Sequence, residues 1–209
     1  PYVQQLHVNA AQHKFLTTEP GLRLALGKFA KQQFADGIAL SAAEVANTQL
    51  IAQDSYQHLS DYFDFEIADI FPYGRSISVV IPLNDPLVDF AVYRKFSLTT
   101  GWQTFVEDAA NSMMSAISVD GICPPVNSES YQAGLVAGHD CLRLTIEDGG
   151  PNDADALANG TVDDPGVIGV LPNSEVAKQL DPEKSSSGGV IWLLLSISLI
   201  MLVVRRRSS

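Results

Sequence analysis

Short segments with apolar side chains at every second position recur along most of the chain, separated by turn residues. They cover residues 22–29, 62–67, 76–81, 89–96, 102–106 and 141–146. Alternation with a period of two residues predicts strands that bury one face. Many short strands with turns between them and little helix predict a mainly β chain that folds as an antiparallel β-sandwich.

A single short helix interrupts this strand pattern. Ser41 is followed three residues later by Glu44, which is the spacing of a capping box. The residues after Ser41 are rich in Ala, which favours helix. The sequence therefore predicts a helix over residues 42–48.

Residues 190–204 have a different pattern, with no charged residue, no Gly and no Pro. Fifteen residues of helix span about 22 Å, somewhat less than the roughly 30 Å hydrocarbon core of a membrane. A buried core helix would fit this length, but not a segment that has no polar face and ends on Arg205, Arg206 and Arg207. We therefore predict a C-terminal transmembrane helix, with the arginines in the cytoplasm and residues 1–184 outside the cytosol.

The tail as a whole resembles the GlyGly-CTERM sorting signal of bacteria. That signal has a Ser/Gly-rich run with a Gly pair, a short apolar helix and an Arg cluster, and here the run ends in Ser187, Gly188 and Gly189. The resemblance implies cleavage near the Gly pair by rhombosortase, an intramembrane protease of the rhomboid type. It also implies an inner-membrane anchored precursor with a periplasmic domain, and a mature form displayed on the surface of a Gram-negative cell or secreted. The alternative is a permanent single-pass anchor.

The chain outside the tail is strongly acidic. The tail contains three of the 13 basic residues and none of the 24 acidic ones, so residues 1–184 carry 10 basic and 24 acidic groups and a net charge of −14. This balance disfavours nucleic acid as a partner. Since the chain begins at Pro1 with no signal peptide, we expect a leader and upstream domains of the same protein.

The chain has two cysteines, Cys123 and Cys141. In an exported protein, an even number of cysteines predicts a disulfide. Closing a loop of this length stabilises the fold by about 3 kcal/mol. A metal site is the weaker interpretation, because no further ligands occur at metal-binding spacing.

The sandwich region resembles the choice-of-anchor U domain, which precedes several bacterial surface-sorting signals. The matching segments are residues 63–66, 78–82, 91–95, 101–102, 121–124, 144–155 and 158–166. Ala156 departs from the pattern, since the family usually has Gly there, and Val167 follows Gly166 where a second Gly is common. The resemblance implies a role in presenting or anchoring a parent protein, and it implies no catalytic residues.

The domain organisation follows from these patterns. We predict the end of a preceding module or a linker at residues 1–15, an N-terminal β segment with a short helix packed on the sandwich at 16–61, the choice-of-anchor U β-sandwich domain at 62–176, a Ser/Gly linker with the Gly-Gly processing region at 177–189, the transmembrane helix at 190–204 and a basic cytoplasmic tail at 205–209.

One stretch of the sandwich region is strongly acidic and rich in Gly. Closely spaced carboxylate and amide oxygens between tight turns suit Ca²⁺, which takes about 6 to 8 oxygen ligands. The candidate ligands are Asp148, Asn152, Asp153, Asp155, Asp163 and Asp164. The alternative is a solvated acidic loop that binds no metal. Equal melting midpoints with Ca²⁺ and with a chelator would exclude the calcium site.

The sequence thus predicts a non-enzymatic, surface-anchoring and sorting module at the C-terminus of a longer exported protein. Its expected partners are the membrane, a rhombosortase-type protease and the upstream domains. Two alternatives are a Ca²⁺-dependent adhesive domain and the accessory end of a secreted hydrolase whose catalytic domain lies upstream. The full-length sequence would distinguish these three functions.

Overall fold

Thirteen β-strands form two antiparallel sheets in the described part of the chain, residues 5–172 of a computed structural model. The strands are β1 Gln5–Asn9, β2 Lys14–Thr18, β3 Arg23–Leu26, β4 Ala39–Leu40, β5 Gln57–His58, β6 Tyr62–Ala68, β7 Ser76–Pro82, β8 Val92–Ser97, β9 Gly101–Thr104, β10 Ser112–Ala116, β11 Gln132–Ala133, β12 Cys141–Glu147 and β13 Val162–Val170. Four short helices lie between them: α1 Lys28–Gln32, α2 Ala42–Val45, and the 3-10 helices η1 Ala10–Gln12 and η2 Gln49–Ile51.

The strands are not paired in simple chain order. The first sheet has the order β1-β2-β7-β12-β10-β11, and the second has the order β3-β6-β13-β8-β9, with β4 also pairing with β6 and β5 with β13. All of these neighbouring strands are antiparallel. The last strand, β13, lies in the centre of the second sheet, between β6 and β8.

One apolar core joins the inner faces of the two sheets. Because successive side chains point to opposite faces, every second residue of a strand reaches this core. The first sheet contributes Ile77, Val79, Ile81, Leu142, Leu144 and Ile146, and the second contributes Phe63, Phe65, Ile67, Tyr93, Val162 and Ile168. The predicted antiparallel, sandwich-like β architecture is confirmed. The predicted strands at residues 62–67, 76–81 and 141–146 correspond to β6, β7 and β12.

Helices α1, α2 and η2 pack on the outer face of the second sheet. A second apolar cluster packs Phe29 of α1 and Val45 of α2 against Phe96 and Trp102. The predicted capping box is present, since the Glu44 backbone N–H donates to Ser41 Oγ (3.3 Å) and the Ser41 N–H donates to Glu44 Oε2 (2.8 Å). Helix α2 is shorter than predicted and ends at Val45.

Helix α1 occupies residues where the sequence predicted strand. Strand β3 ends at Leu26, and the buried Asp64 carboxylate accepts the Ala30 backbone N–H (2.7 Å) at the start of α1. Gly27 permits this contact, because a Cβ there would lie 2.2 Å from Asp64 Oδ1. The helix start is therefore fixed by a carboxylate on another strand, which local alternation does not reveal.

A disulfide covers part of the outer face of the first sheet. Cys123 and Cys141 are bonded, with Cα atoms 5.6 Å apart, so this prediction is confirmed. Cys141 belongs to a small cluster with Val80, Ala116 and Tyr131. The bond ties the loop after β10 to the start of β12.

The N-terminal residues of the described part belong to the first sheet. Residues 5–15, which the sequence analysis placed in a preceding module or linker, form β1, η1 and the start of β2. Val8 and Leu16 are buried in the central core, and the predicted N-terminal β segment continues into β3, β4 and β5 of the second sheet. The sheets therefore draw on strands from both sides of the predicted boundary at residue 62.

Within residues 5–172, no helix combines the length and the apolar character needed to cross a membrane. The predicted transmembrane helix at residues 190–204 lies outside this part of the chain. The predicted linker, basic tail and the last residues of the predicted sandwich domain, from residue 173 onward, also lie outside it.

Candidate functional site

The predicted calcium ligands lie in two structural elements rather than in one loop. Residues 148–161, here called the acidic loop, connect β12 to β13. Asp163 and Asp164 lie within β13 and point to opposite faces of the second sheet. The sequence did not predict this strand, because Asp163, Asp164, Pro165 and Gly166 have the composition of a turn.

Asp148 begins the acidic loop and is 1% exposed. Its carboxylate accepts three backbone N–H groups, from Gly74 (2.8 Å), Asn159 (3.1 Å) and Gly160 (3.0 Å). Backbone N–H groups in a buried turn need acceptors, and a carboxylate supplies strong ones. Asp148 therefore holds the end of the acidic loop against the turn that contains Gly74.

Asn152 and Asp153 hold the middle of the loop. The Asn152 side chain accepts from the Val106 N–H and donates to the Val106 carbonyl, both at 2.8 Å. The Asp153 carboxylate accepts the N–H groups of Gly149 (2.9 Å) and Asp163 (3.0 Å). Both residues are nearly fully buried, so the amide and the carboxylate serve as internal acceptors.

The remaining loop acid, Asp155, is exposed and bonds locally to the Leu157 N–H (2.9 Å) and to Asn159 Nδ2 (2.8 Å). Ala156 follows it with a φ of +56°, in the left-handed region that favours glycine. This is the position at which the resembled family usually has Gly. The loop thus adopts a glycine-like turn although its residue is Ala.

The described residues contain no group of three or more His, Cys, Asp or Glu side chains arranged to hold a metal ion. Asp148, Asn152, Asp153 and Asp155 accept hydrogen bonds from the chain, and Asp164 is paired with a lysine. The calcium site stays a prediction. The fold places the Asp153 carboxylate against the backbone of Asp163, and Asp155 is exposed beside them.

A buried lysine beside these acids was not identified from the sequence. Lys95 of β8 forms an ion pair with Asp164, and the two side chains are 6% and 0% exposed. Tyr93 Oη donates to Asp164 Oδ1 (3.2 Å). The available signal was Arg94-Lys95 within a strand flanked by the aromatic residues Tyr93 and Phe96, since charges in the middle of such a strand are buried only when paired.

Burial raises the pKa of several of these groups. It raises the pKa of Asp153 to about 6, although the backbone N–H groups of Gly149 and Asp163 act in the opposite direction. Burial also raises the pKa values of Asp163 and Asp164, and it raises the pKa of Tyr93 well above its usual range. The interior at this end of the sandwich therefore favours neutral forms.

A small pocket lies between the acidic loop and the β8–β9 hairpin. Its volume is about 20 Å³, and its walls include Lys95, Gln103, Thr104, Asn152 and Asp153. A volume of about 10 to 15 Å³ is enough for one water molecule. The pocket therefore has room for water.

A second buried polar cluster lies on the outer face of the second sheet. Arg94 donates to Asp54 through Nε (2.9 Å) and through a terminal nitrogen (2.6 Å), and His58 Nε2 lies 2.9 Å from the same carboxylate. Burial raises the pKa of Asp54, but hydrogen bonds from Arg94 and His58 outweigh it and hold the pKa below its ordinary value. The arginine also stacks on Tyr56, 4.2 Å from the ring centre. These contacts fasten the segment before β5 to β8.

Two other predicted groups of residues fall outside the described part of the chain. They are the processing region Ser187, Gly188 and Gly189, and the topology-determining residues Arg205, Arg206 and Arg207. Tyr93 is buried in the central core, and Trp102 is buried in the second apolar cluster.

We compared the chain with protein-family profiles, with curated proteins and with solved structures, and none of the three comparisons found a match.

We predict that the protein becomes more stable as the pH falls from about 7 to about 5. Burial raises the pKa of both Asp64 and Asp153 to about 6, against an ordinary value of 3.8. Between these values the folded state binds more protons than the unfolded state, so protonation favours folding by on the order of 1 kcal/mol for each group. The contribution is lost as the pH rises through about 6.

Urea denaturation at the two pH values measures this effect. The double variant Asp64→Asn, Asp153→Asn should show a smaller difference between the two conditions than the wild type. Asp36→Asn is the matched control, because Asp36 is exposed, and it should retain the wild-type difference. Equal stability of the wild type at both pH values would contradict the prediction.

Proposed function

We propose that the chain is the C-terminal anchoring and sorting module of a longer exported bacterial protein. The observation that carries the proposal is the order of segments after residue 184, with the Gly188-Gly189 pair, fifteen uncharged residues that are apolar except for Ser196 and Ser198, and then three arginines. This order resembles a GlyGly-CTERM signal. On this proposal, a rhomboid-type intramembrane protease cuts near the Gly pair, and the sandwich holds the parent protein at the cell surface.

The disulfide supports export. Disulfides persist in oxidising compartments such as the bacterial periplasm and the cell surface. The Cys123–Cys141 bond lies against the first sheet, so it belongs to the folded domain. The net charge of −14 on residues 1–184 suits a domain that stays in solution on the far side of the membrane.

The placement of β13 supports anchoring. This strand ends at Val170 and is the last strand within residues 5–172. It is paired with β6 at five register positions and with β8 at four. A strand held on both sides resists being pulled out of its sheet, since many hydrogen bonds would have to break together. A pulling force applied through the tail would therefore act on a central strand of the second sheet.

Mass spectrometry of the C-terminus in the native cells tests this function. We expect surface-located protein to end near Gly188-Gly189 and to lack Arg205, Arg206 and Arg207, and we expect cells without the protease to retain all three arginines. Gly188→Val with Gly189→Val should block cleavage. Ser185→Val with Ser186→Val adds similar bulk nearby and serves as the control that should still be processed. Surface-located wild-type protein with an intact Arg207 would contradict the sorting proposal and favour a permanent anchor.

A further inference from the structure

Lys95 and Asp164 meet inside the sandwich on neighbouring strands. In the antiparallel register, Lys95 of β8 lies opposite Gly166 of β13. Asp164 is two residues before Gly166 on the same strand, so its side chain lies on the same face of the sheet as the Lys95 side chain. The lysine and aspartate side chains are 6% and 0% exposed.

The polar atoms of this pair have too few partners for two buried charges. Lys95 Nζ and Asp164 Oδ2 have no hydrogen-bond partner among the described residues. An ammonium group has three protons to donate, and a carboxylate can accept several hydrogen bonds. The ion pair and the Tyr93 hydroxyl on Asp164 Oδ1 are direct contacts that offset burial, and the charges of Asp153 and Asp163 also interact with Lys95. Burying two charges in this way costs free energy that a neutral product would recover.

Tyr93 is held in a position to assist a reaction at Asp164. Its ring passes over Gly166, where a Cβ would lie 2.3 Å from Tyr93 Oη, so glycine is required for this arrangement. The Tyr93 hydroxyl then reaches Asp164 Oδ1 at 3.2 Å. A fixed donor on one carboxyl oxygen stabilises negative charge that develops there during attack on the carbon.

We propose that Lys95 Nζ and Asp164 Cγ form an intramolecular amide bond, which links β8 covalently to β13. The Nζ–Cγ bond forms and the Cγ–Oδ2 bond breaks. A proton first passes from the Lys95 ammonium to Asp164 Oδ2, which leaves the amine with a lone pair for the attack. Oδ1 remains as the amide oxygen, and Oδ2 leaves as water with this proton and a second one from Nζ. The ion pair supplies all the atoms, so the step needs no oxidant, reductant or activating group.

The surroundings favour this step for two physical reasons. The two side chains are nearly fully buried, which limits the access of bulk water to the amide, and the adjoining pocket has room for the water that is released. Two groups fixed in contact also react far faster than the same groups in dilute solution. Burial raises the pKa of Asp164, which supports the neutral carboxyl form that an amine can attack.

The cross-link would complement the disulfide. Cys123–Cys141 fastens a loop to the first sheet, and the amide would fasten two central strands of the second sheet. It goes beyond the proposed anchoring function and does not rest on it, because the amide forms or fails to form whatever the tail does.

Intact mass spectrometry of the full chain under reducing, denaturing conditions tests the amide. We expect a mass lower than the sequence mass by one water molecule. Trypsin should release residues 95–143 joined to residues 144–178, because an amide on Lys95 prevents cleavage after it and no other Lys or Arg lies inside either segment. A full sequence mass, with free residues 96–143, would show an ion pair only and overturn the proposal.

Variants assign the mass change to this pair. Lys95→Arg should keep its full mass, whereas Lys31→Arg, which alters the exposed Lys31–Glu66 pair, should still lose one water. Asp164→Asn should form the same bond by releasing ammonia, and its product should therefore have the same mass as the wild-type product. Loss of water in Lys95→Arg would overturn the assignment. The wild-type mass decides the proposal even if a variant fails to fold.

Discussion

Asp148→Ala should be among the most destabilising substitutions in the acidic loop, lowering the free energy of unfolding by roughly 4 kcal/mol. The carboxylate is buried and accepts the N–H groups of Gly74, Asn159 and Gly160. Alanine would remove the acceptor from the buried Gly160 N–H and from the part-buried Gly74 and Asn159 N–H groups, and an unsatisfied buried donor costs about 1 to 3 kcal/mol. The cost arises in the turn before β7 as well as in the loop.

Urea denaturation of the wild type and the variant measures this loss. Asp155→Ala is the matched control, because it removes an exposed carboxylate from the same loop, and we expect a change of less than about 1 kcal/mol. Equal losses in the two variants would show that Asp148 stabilises the fold no more than a surface residue does. Such a result would mean that the buried Asp148 carboxylate does not hold the acidic loop in place.

Lys95→Met should lower the free energy of unfolding by about 3 to 5 kcal/mol, because it leaves the Asp164 carboxyl buried without a positive partner. The expectation holds for the ion pair and for the proposed amide alike, since methionine can form neither. Lys95→Met together with Asp164→Leu should recover much of the loss, because a buried pair replaced by apolar residues of similar size is often neutral.

Lys31→Met is the control for the lysine. Lys31 pairs with Glu66 at 3.1 Å, but its side chain is 52% exposed. Exposed ion pairs contribute about 0 to 1 kcal/mol, so this variant should have nearly wild-type stability in the same urea titration. A Lys95→Met variant as stable as Lys31→Met would mean that the Asp164 carboxyl tolerates burial without its lysine.

The sequence predicted well those strands whose own residues alternate regularly between apolar and polar. Strands β6, β7 and β12 alternate cleanly, with Phe63, Val79 and Leu144 among their inward residues. Strand β8 begins at Val92 rather than at residue 89, because Phe90 adopts a φ of +60° that ends any extended run. Strand β13 was missed because its start resembles a turn, although its neighbours β6 and β8 supply hydrogen bonds on both sides.

The candidate site shows the same division. The sequence identified the acids from Asp148 to Asp164 by their number and spacing, and it identified the cysteine pair by count. It could not show that Asp148 accepts backbone N–H groups from the distant residue Gly74, or that Lys95 lies beside Asp164. Carboxylates that gather in sequence therefore suggested a cation, whereas the fold gives most of them partners within the chain.

The sequence alone determined four features: the mainly β class, the capped helix after Ser41, the disulfide and the strongly acidic balance of residues 1–184. These features depend on local periodicity or on composition, and both can be read from the sequence without knowing the tertiary contacts. Only the tertiary structure decided the central place of β13, the inclusion of residues 5–15 in the first sheet and the pairing of Lys95 with Asp164. Each of these depends on contacts between residues far apart in the chain, where burial makes a partner necessary and the topology determines which partner is within reach.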